Sequence, residues 1–306
     1  MAIVLVTGAN GFVGRQCLIP LLAAGFEVYA LSRQAPAVEL EHSHLHWERA
    51  DLFNPADIKA LLQQVRPTHL LHMAWITTHG YFWDAPENEE WVAASKSLIQ
   101  SFIETGGQRV VAAGTCAEYD WDSLSVTESD CDEITTPCVP HTLYGQSKLK
   151  LWRWLQHQPV SSAWGRIFYA YGPYEAAKRL IPSLILNIIH NRPAPLGPGT
   201  DEHDFTDCRD MGAAFTAMLK SPYKGAVNVT SGQGTRIADI ARLIERLAGK
   251  KDLLRINALP SRPHDPPRLV GKNTILKEKI GFQPVYTLEK GLRDTILWWE
   301  AQEKTL

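Results

Sequence analysis

Six short apolar runs punctuate the first half of the chain: 2–7 (AIVLVT), 26–32 (FEVYALS), 44–49, 68–74 (THLLHMA), 109–114 (RVVAAG) and 163–169 (AWGRIFY). They carry little polar alternation, the pattern of strands covered on both faces. Helical patterns fit between them. Over 54–66, Asn54 can cap and Pro55 can take the first turn. The stretch 86–105 opens on Pro86 and acidic residues and stops at Gly106 and Gly107, and a further helix covers 142–157. Repeated strand–helix–strand units predict an α/β fold with a doubly wound parallel sheet.

After residue 172 the rhythm changes. Proline and glycine crowd "NRPAPLGPGTDEHDF" and "LPSRPHDPPRL". Helices are predicted at 179–190, 207–220, 235–248 and 288–302, and 226–230 (AVNVT) reads as one more strand. This predicts a main domain over 1–172, to which 207–230 returns, and a smaller lobe over 173–206 and 231–306 that caps the sheet.

Composition narrows the function classes. At 306 residues and a formal net charge of −2, the chain offers no electrostatic case for nucleic acid or an anionic membrane. No run of 18 apolar residues exists, and "MAIVLVTG", lacking a basic leader, reads as a buried strand rather than a signal peptide. The cysteines (Cys17, Cys116, Cys131, Cys138, Cys208) are odd in number and lack CxxC spacing. That points to a reduced, cytoplasmic protein without a metal site.

Candidate chemistry begins at "TGANGFVG". It sets Gly8, Gly11 and Gly14 between the first strand and the first helix. Glycines there let the backbone turn sharply and approach a pyrophosphate, while the helix N-terminus offers free N–H groups to its charge. The competing reading is a plain glycine-rich turn. Pro20 inside the following helix would cost roughly 3 kcal/mol unless a kink absorbs it. "LYGQSK" then puts Tyr144 and Lys148 four residues apart, neighbours on one helix face.

TGxxGxxG together with YxxxK resembles the extended short-chain dehydrogenase/reductases, the nucleotide-sugar epimerases, dehydratases and reductases, built on a Rossmann domain. Further matches are "ADL" at 50–52, "HMA" at 72–74, "GT" at 114–115, "RIFYAYGP" at 166–173, "RLIPSLI" at 179–185 and "RPHD" at 262–265. The resemblance implies cofactor contacts from Gly8, Asn10, Gly11, Phe12, Val13, Gly14, Ser32, Arg33, Asp51, Leu52, Ala74 and Lys148. It makes Tyr144 the general acid/base, Lys148 the ammonium that lowers its pKa and bonds the nicotinamide ribose, and Thr115 the hydroxyl that holds the substrate oxygen. Asp51 would bond the adenine amino group. The second strand ends in Ser32, Arg33 and Gln34 where an acid would favour NAD, so NADP(H) is preferred, with NAD(H) as the other option. Arg15 could add positive charge there.

Departures from the family pattern narrow the reaction. Dehydratases carry an Asp–Glu pair after the threonine, where this chain has Cys116 and Ala117; Glu118 stands one place further on. The substrate side is expected to use Trp75, Cys116, Tyr169, Arg179, Leu180, His203 and Arg262, with Arg268 as a weaker phosphate contact. His203 and Tyr169 replace a family arginine and asparagine, and Arg166 is read as structural. In "AWITTHGYFWDAP", Trp75, Tyr81, Phe82 and Trp83 form either an aromatic wall over the ligand or a loop packed by its own rings; His79 and His141 could touch substrate. The stripe Leu149, Trp152, Leu155, with the apolar side of 91–103, fits a helical-bundle homodimer face or core packing within one chain. Together these imply NADPH-dependent reduction of a nucleotide-linked 4-keto-6-deoxy sugar, akin to CDP-abequose synthase-type enzymes. The alternatives are an NAD-dependent nucleotide-sugar epimerase and a non-catalytic NADP-sensing protein.

Overall fold

The computed structural model describes residues 2–36, 40–127, 129–260 and 266–303. The first part of the chain runs β1 (Ile3–Thr7), α1 (Gly14–Ala23), β2 (Glu27–Ser32), β3 (Leu45–Arg49), α2 (Pro55–Val65), β4 (His69–His72), α3 (Glu87–Glu104), β5 (Arg109–Thr115), a 3-10 turn at Cys116–Glu118, α4 (Trp121–Thr127), α5 (Leu143–Leu155) and β6 (Ser161–Ile167). It continues through β7 (Tyr169–Tyr171), α6 (Leu180–Ile189), β8 (Ala194–Pro195), β9 (Glu202–Asp207), α7 (Cys208–Lys220) and β10 (Gly225–Val229). The end is β11 (Gly234–Arg236), α8 (Ile237–Leu247), β12 (Leu254–Arg255), β13 (Arg268–Leu269), α9 (Thr274–Glu278) and α10 (Leu288–Glu303).

Seven strands, all parallel, form the main sheet in the order β10-β6-β5-β4-β1-β2-β3. Period-two geometry sends alternate side chains to opposite faces. Val4, Val6, Leu71 and Val111 pack with Leu18 of α1 and Phe215 of α7, while Leu5, Leu70 and Val110 pack with Ile58, Leu98 and Leu149 of α2, α3 and α5. With helices on both faces, every residue of β5 is buried, which is why these strands read as continuous apolar runs. The predicted signals hold locally: Asn54 accepts from the Ala56 N–H, Pro55 opens α2, and Arg66 closes it in the left-handed region. The strand order reverses between β1 and β4, and open α/β sheets bind ligands in the crevice at such a point.

Leu149, Trp152 and Leu155 face inward. All three are buried among the residues that cover the sheet, and Trp152 stacks on Trp164 of β6 at 5.6 Å. This stripe is core, not a free dimer face, because the wide sheet needs an apolar cover on this side.

A second, smaller sheet was not legible in the sequence. β9 pairs with β7 and β13 in parallel and with β11 in antiparallel. Its strands are two to six residues long and mostly polar, so they carry no apolar run. Beside it, Ile185, Ile188, Ile240, Ile244 and Leu292 of α6, α8 and α10 form a separate core. No described helix is long and apolar enough to cross a membrane.

Candidate active site

The crevice above β1 and β4 opens into a cavity of about 790 Å³ that runs from the glycine loop to α6 and the second sheet. At its floor the backbone approaches too closely for side chains. Gly8 has φ +69°, and a Cβ there would lie 2.8 Å from the Ala74 nitrogen; one on Gly14 would lie 2.1 Å from the Gly8 carbonyl oxygen. The Gly8 carbonyl accepts from the Gly11 N–H at 2.8 Å, which closes the turn. This cradle, at a helix N-terminus, fits a pyrophosphate. Asn10 Nδ2 donates to Ser32 Oγ at 2.7 Å and ties the glycine loop to the end of β2. Gly11, Phe12, Val13, Ser32, Arg33, Gln34, Asp51, Leu52 and Ala74 all line the cavity. Arg15 does not: its guanidinium donates to the Asn10 carbonyl and lies 4.1 Å over the Tyr174 ring.

Thr7 and His72 hold the two sides of the switch point together. Thr7 Oγ1 lies 2.8 Å from His72 Nδ1 and accepts from the N–H groups of Met73 and Ala74; His72 Nε2 lies 2.8 Å from Ser95 Oγ. Burial pushes the imidazole down to about 3, with the Lys148 charge adding to it, so His72 is neutral.

Thr142 caps α5 by accepting from the Gly145 N–H, and the helix carries Tyr144 and Lys148 into the cavity beside Thr115 at the end of β5. Tyr144 is half-buried and lines the cavity. Burial pushes it above the ordinary tyrosine range, while Thr115 and Arg179 act in the opposite direction. Lys148 is 3% exposed, donates to the Ala113 carbonyl at 2.8 Å and lies 5.9 Å from the centre of the Tyr144 ring. Burial pushes it down to about 7, against the pull of Glu118. Burial thus acts on each group toward its neutral form, raising the phenol and lowering the lysine.

Glu118 is withdrawn from chemistry. It is fully buried; Oε1 accepts from the Thr115 N–H and Trp164 Nε1, each at 2.8 Å, and Oε2 pairs with Arg166 Nε at 2.9 Å. Arg166 also donates to the Tyr119 hydroxyl and Cys138 sulfur, a structural role. Cys116 lines the cavity as a thiol, its pKa pushed up to about 12 by burial.

Residues 4–230 match the NAD dependent epimerase/dehydratase family. The chain belongs to it. It is accordingly an NAD(P)-dependent enzyme of the extended short-chain dehydrogenase/reductase type. Among its relatives, UDP-glucose 4-epimerase 4 of Oryza sativa subsp. japonica is 24% identical and covers 96% of this chain and 89% of the rice protein. The dTDP-6-deoxy-L-talose 4-dehydrogenase (NAD(P)(+)) of Kitasatospora kifunensis is 26% identical over 98% of this chain and 95% of that one. UDP-glucuronic acid 4-epimerase from Bacillus cereus, solved in complex with UDP-glucuronic acid and NAD, shares the fold at a TM-score of 0.84, with 21% identity over 99% of this chain and all of that one (100%).

Of the residues expected on the substrate side, Trp75, Tyr169, Arg179, Leu180 and His203 line the cavity. The Tyr169 ring stacks on His203 at 4.3 Å and 3°. Arg179 lies 5.3 Å over Phe82, which meets Tyr144 edge-on at 4.9 Å. Phe82, Trp83 and His79 also face the cavity. Tyr81 does not belong to that wall: it is 49% exposed and donates to Glu87. His141 lies outside, beside Asp120 and Asp122. Arg268 is likewise no free phosphate ligand, being paired with Asp130 at 2.6 Å and Glu202 at 2.5 Å. Arg262 lies outside the described residues.

Two residues of the site escaped the sequence reading. Glu175 lines the cavity, is 9% exposed and has a buried Oε2 with no hydrogen-bond partner; burial raises it to about 8, with Arg179 opposing. Asn88 is fully buried behind Trp75. Neither falls in a spacing pattern, and the burial that sets each one is not written in its neighbours.

Proposed function

We propose that the protein reduces a nucleotide-linked 4-keto-6-deoxy sugar with NADPH. The observation that carries this reading is Tyr144 and Thr115 together in the cavity while Glu118, the acid that follows Thr115 in the chain, is committed to Trp164 and Arg166. NADPH, when bound, supplies the hydride. Thr115 holds the keto oxygen and Tyr144 delivers the proton to the oxygen as it gains charge. Lys148 holds the nicotinamide ribose. Arg179 supplies positive charge to the diphosphate, and Trp75, Phe82 and Trp83 exclude water from the sugar. Ser32, Arg33 and Gln34 favour a 2′-phosphate, because no carboxylate at the end of β2 repels it.

The division of labour follows. Residues 1–172 with 207–230 hold the dinucleotide, and 173–206 with 231–306 hold the substrate. The five cysteines are free thiols, in keeping with a reduced, cytoplasmic setting.

A panel of 4-keto sugar nucleotides, followed by nicotinamide absorbance, tests the reaction. NADPH is expected to bind at least about tenfold more tightly than NADH, and Tyr144→Phe to lower turnover by a factor on the order of 10²–10⁴. The epimerase reading is supported by the rice relative, a UDP-glucose 4-epimerase. Retention of NAD through purification, with interconversion of two sugars and no net redox change, would establish that reading and overturn the reductase.

A further inference from the structure

Lys148 is held by something other than the expected ribose and phenol. Its ammonium nitrogen lies 3.9 Å from the centre of the Trp75 ring, within cation–π range. Trp75 follows β4 and Lys148 sits on α5, so the contact ties the segment after β4 to that helix inside the cavity. The indole is fixed from behind. Trp75 Nε1 donates to Asn88 Oδ1 at 2.8 Å, and Asn88 Nδ2 donates to the carbonyls of Phe82 at 2.8 Å and Ala85 at 2.9 Å. Trp91 stacks with the indole at 6.0 Å and 29°. A core tryptophan needs none of this. Here a buried amide orients the ring, one neighbour is aromatic, and the ring also meets a charge.

The electrostatic setting makes that face consequential. The charged and titratable groups around Lys148 are Glu118, which favours its charge; His72, which is neutral; and the Tyr144 phenol. The oxygens of Glu118 are committed to Thr115, Trp164 and Arg166. A quadrupole attracts an ammonium and is indifferent to a neutral amine. The indole thus opposes the desolvation that favours the neutral amine, and it restricts the lysine to one place.

We propose that Trp75, oriented by Asn88, is a positioning residue that holds Lys148 as an ammonium at a fixed place in the active site. This rests on the Tyr144–Lys148 reading of the site, and the test separates the two. Lysine labelled at the ε-carbon is titrated by NMR in the intact protein, with Lys148→Met assigning the signal. Trp75→Leu is expected to move the Lys148 midpoint to lower pH by about one pH unit, and Trp75→Phe, which keeps a π-face, by less. When a substrate is in hand, the alkaline limb of kcat/KM moves with the midpoint. A folded Trp75→Leu whose Lys148 midpoint stays in place, or a Trp75→Phe as shifted as Trp75→Leu, overturns the inference. A shifted midpoint without turnover of any 4-keto sugar nucleotide sinks the reductase reading alone.

Discussion

Glu175 enters the cavity just past β7, its N–H bonded to the Gly172 carbonyl and its Oε2 buried without a partner. A carboxylate in that position lacks solvation, so the folded protein holds the proton up to about pH 8, whereas the unfolded chain releases it near 4.5. The folded state binds more protons between those values, so stability falls as pH rises through that window. Glu175→Gln is therefore expected to flatten the profile, with a gain on the order of 2–4 kcal/mol above pH 8 and little change below 4.5. Denaturant unfolding at the two ends of the window checks it, and an unchanged slope would rule out the neutral carboxyl. Tyr144 and Lys148 follow the same rule at the same scale. Their spacing is plain in "LYGQSK", and so is their shared helix face. Their protonation is not, because desolvation depends on what the rest of the chain places around them.

Pro20 removes the N–H that would bond the Gln16 carbonyl in α1, yet the helix runs through from Gly14 to Ala23. The reason lies on α7. Gly212 approaches that same carbonyl so closely that a Cβ on it would sit 2.2 Å from the Gln16 oxygen. A glycine Cα–H can face the oxygen that proline leaves without its helical donor, and the two helices close over one side of the sheet. Gly212→Ala would force backbone against backbone and is expected to destabilise the protein by at least about 2–3 kcal/mol, measured by thermal or denaturant unfolding. A near-neutral effect would mean that α1 and α7 can separate freely. The long helices α2, α3 and α5 are legible from caps, proline and glycine because those signals are local. The pairing of Pro20 with Gly212 is not, since the residues are nearly two hundred positions apart and neither is unusual by itself.

Across the whole molecule, the first turn of α7 joins the sheet to the C-terminal segment. The Arg209 guanidinium makes two hydrogen bonds to the buried Asp207 carboxylate, pairs with Asp294 of α10 at 2.8 Å and lies 3.8 Å over Tyr286, while Asp210 accepts from the N–H groups of Val285 and Tyr286. Arg209→Met would take the opposite charge and two hydrogen bonds from the buried Asp207 carboxylate and leave it the capping bond from the backbone N–H at position 209. The expected loss is about 2–4 kcal/mol, less than for an enclosed pair because Arg209 is 26% exposed, and double-mutant cycles with Asp294→Asn apportion it. Additivity of the two substitutions would dismiss the link. By itself the sequence determined the parallel sheet, its long helices, the glycine cradle and the family of Tyr144, Lys148 and Thr115, because runs, caps and short motifs are written in neighbouring residues. Only the tertiary structure decided that Glu118 is sealed by Arg166, that Arg268 is neutralised by two acids, that the Trp152 stripe is core, and that Trp75 faces Lys148. Each of those depends on which distant side chains share a space without water, and burial there sets both charge and role.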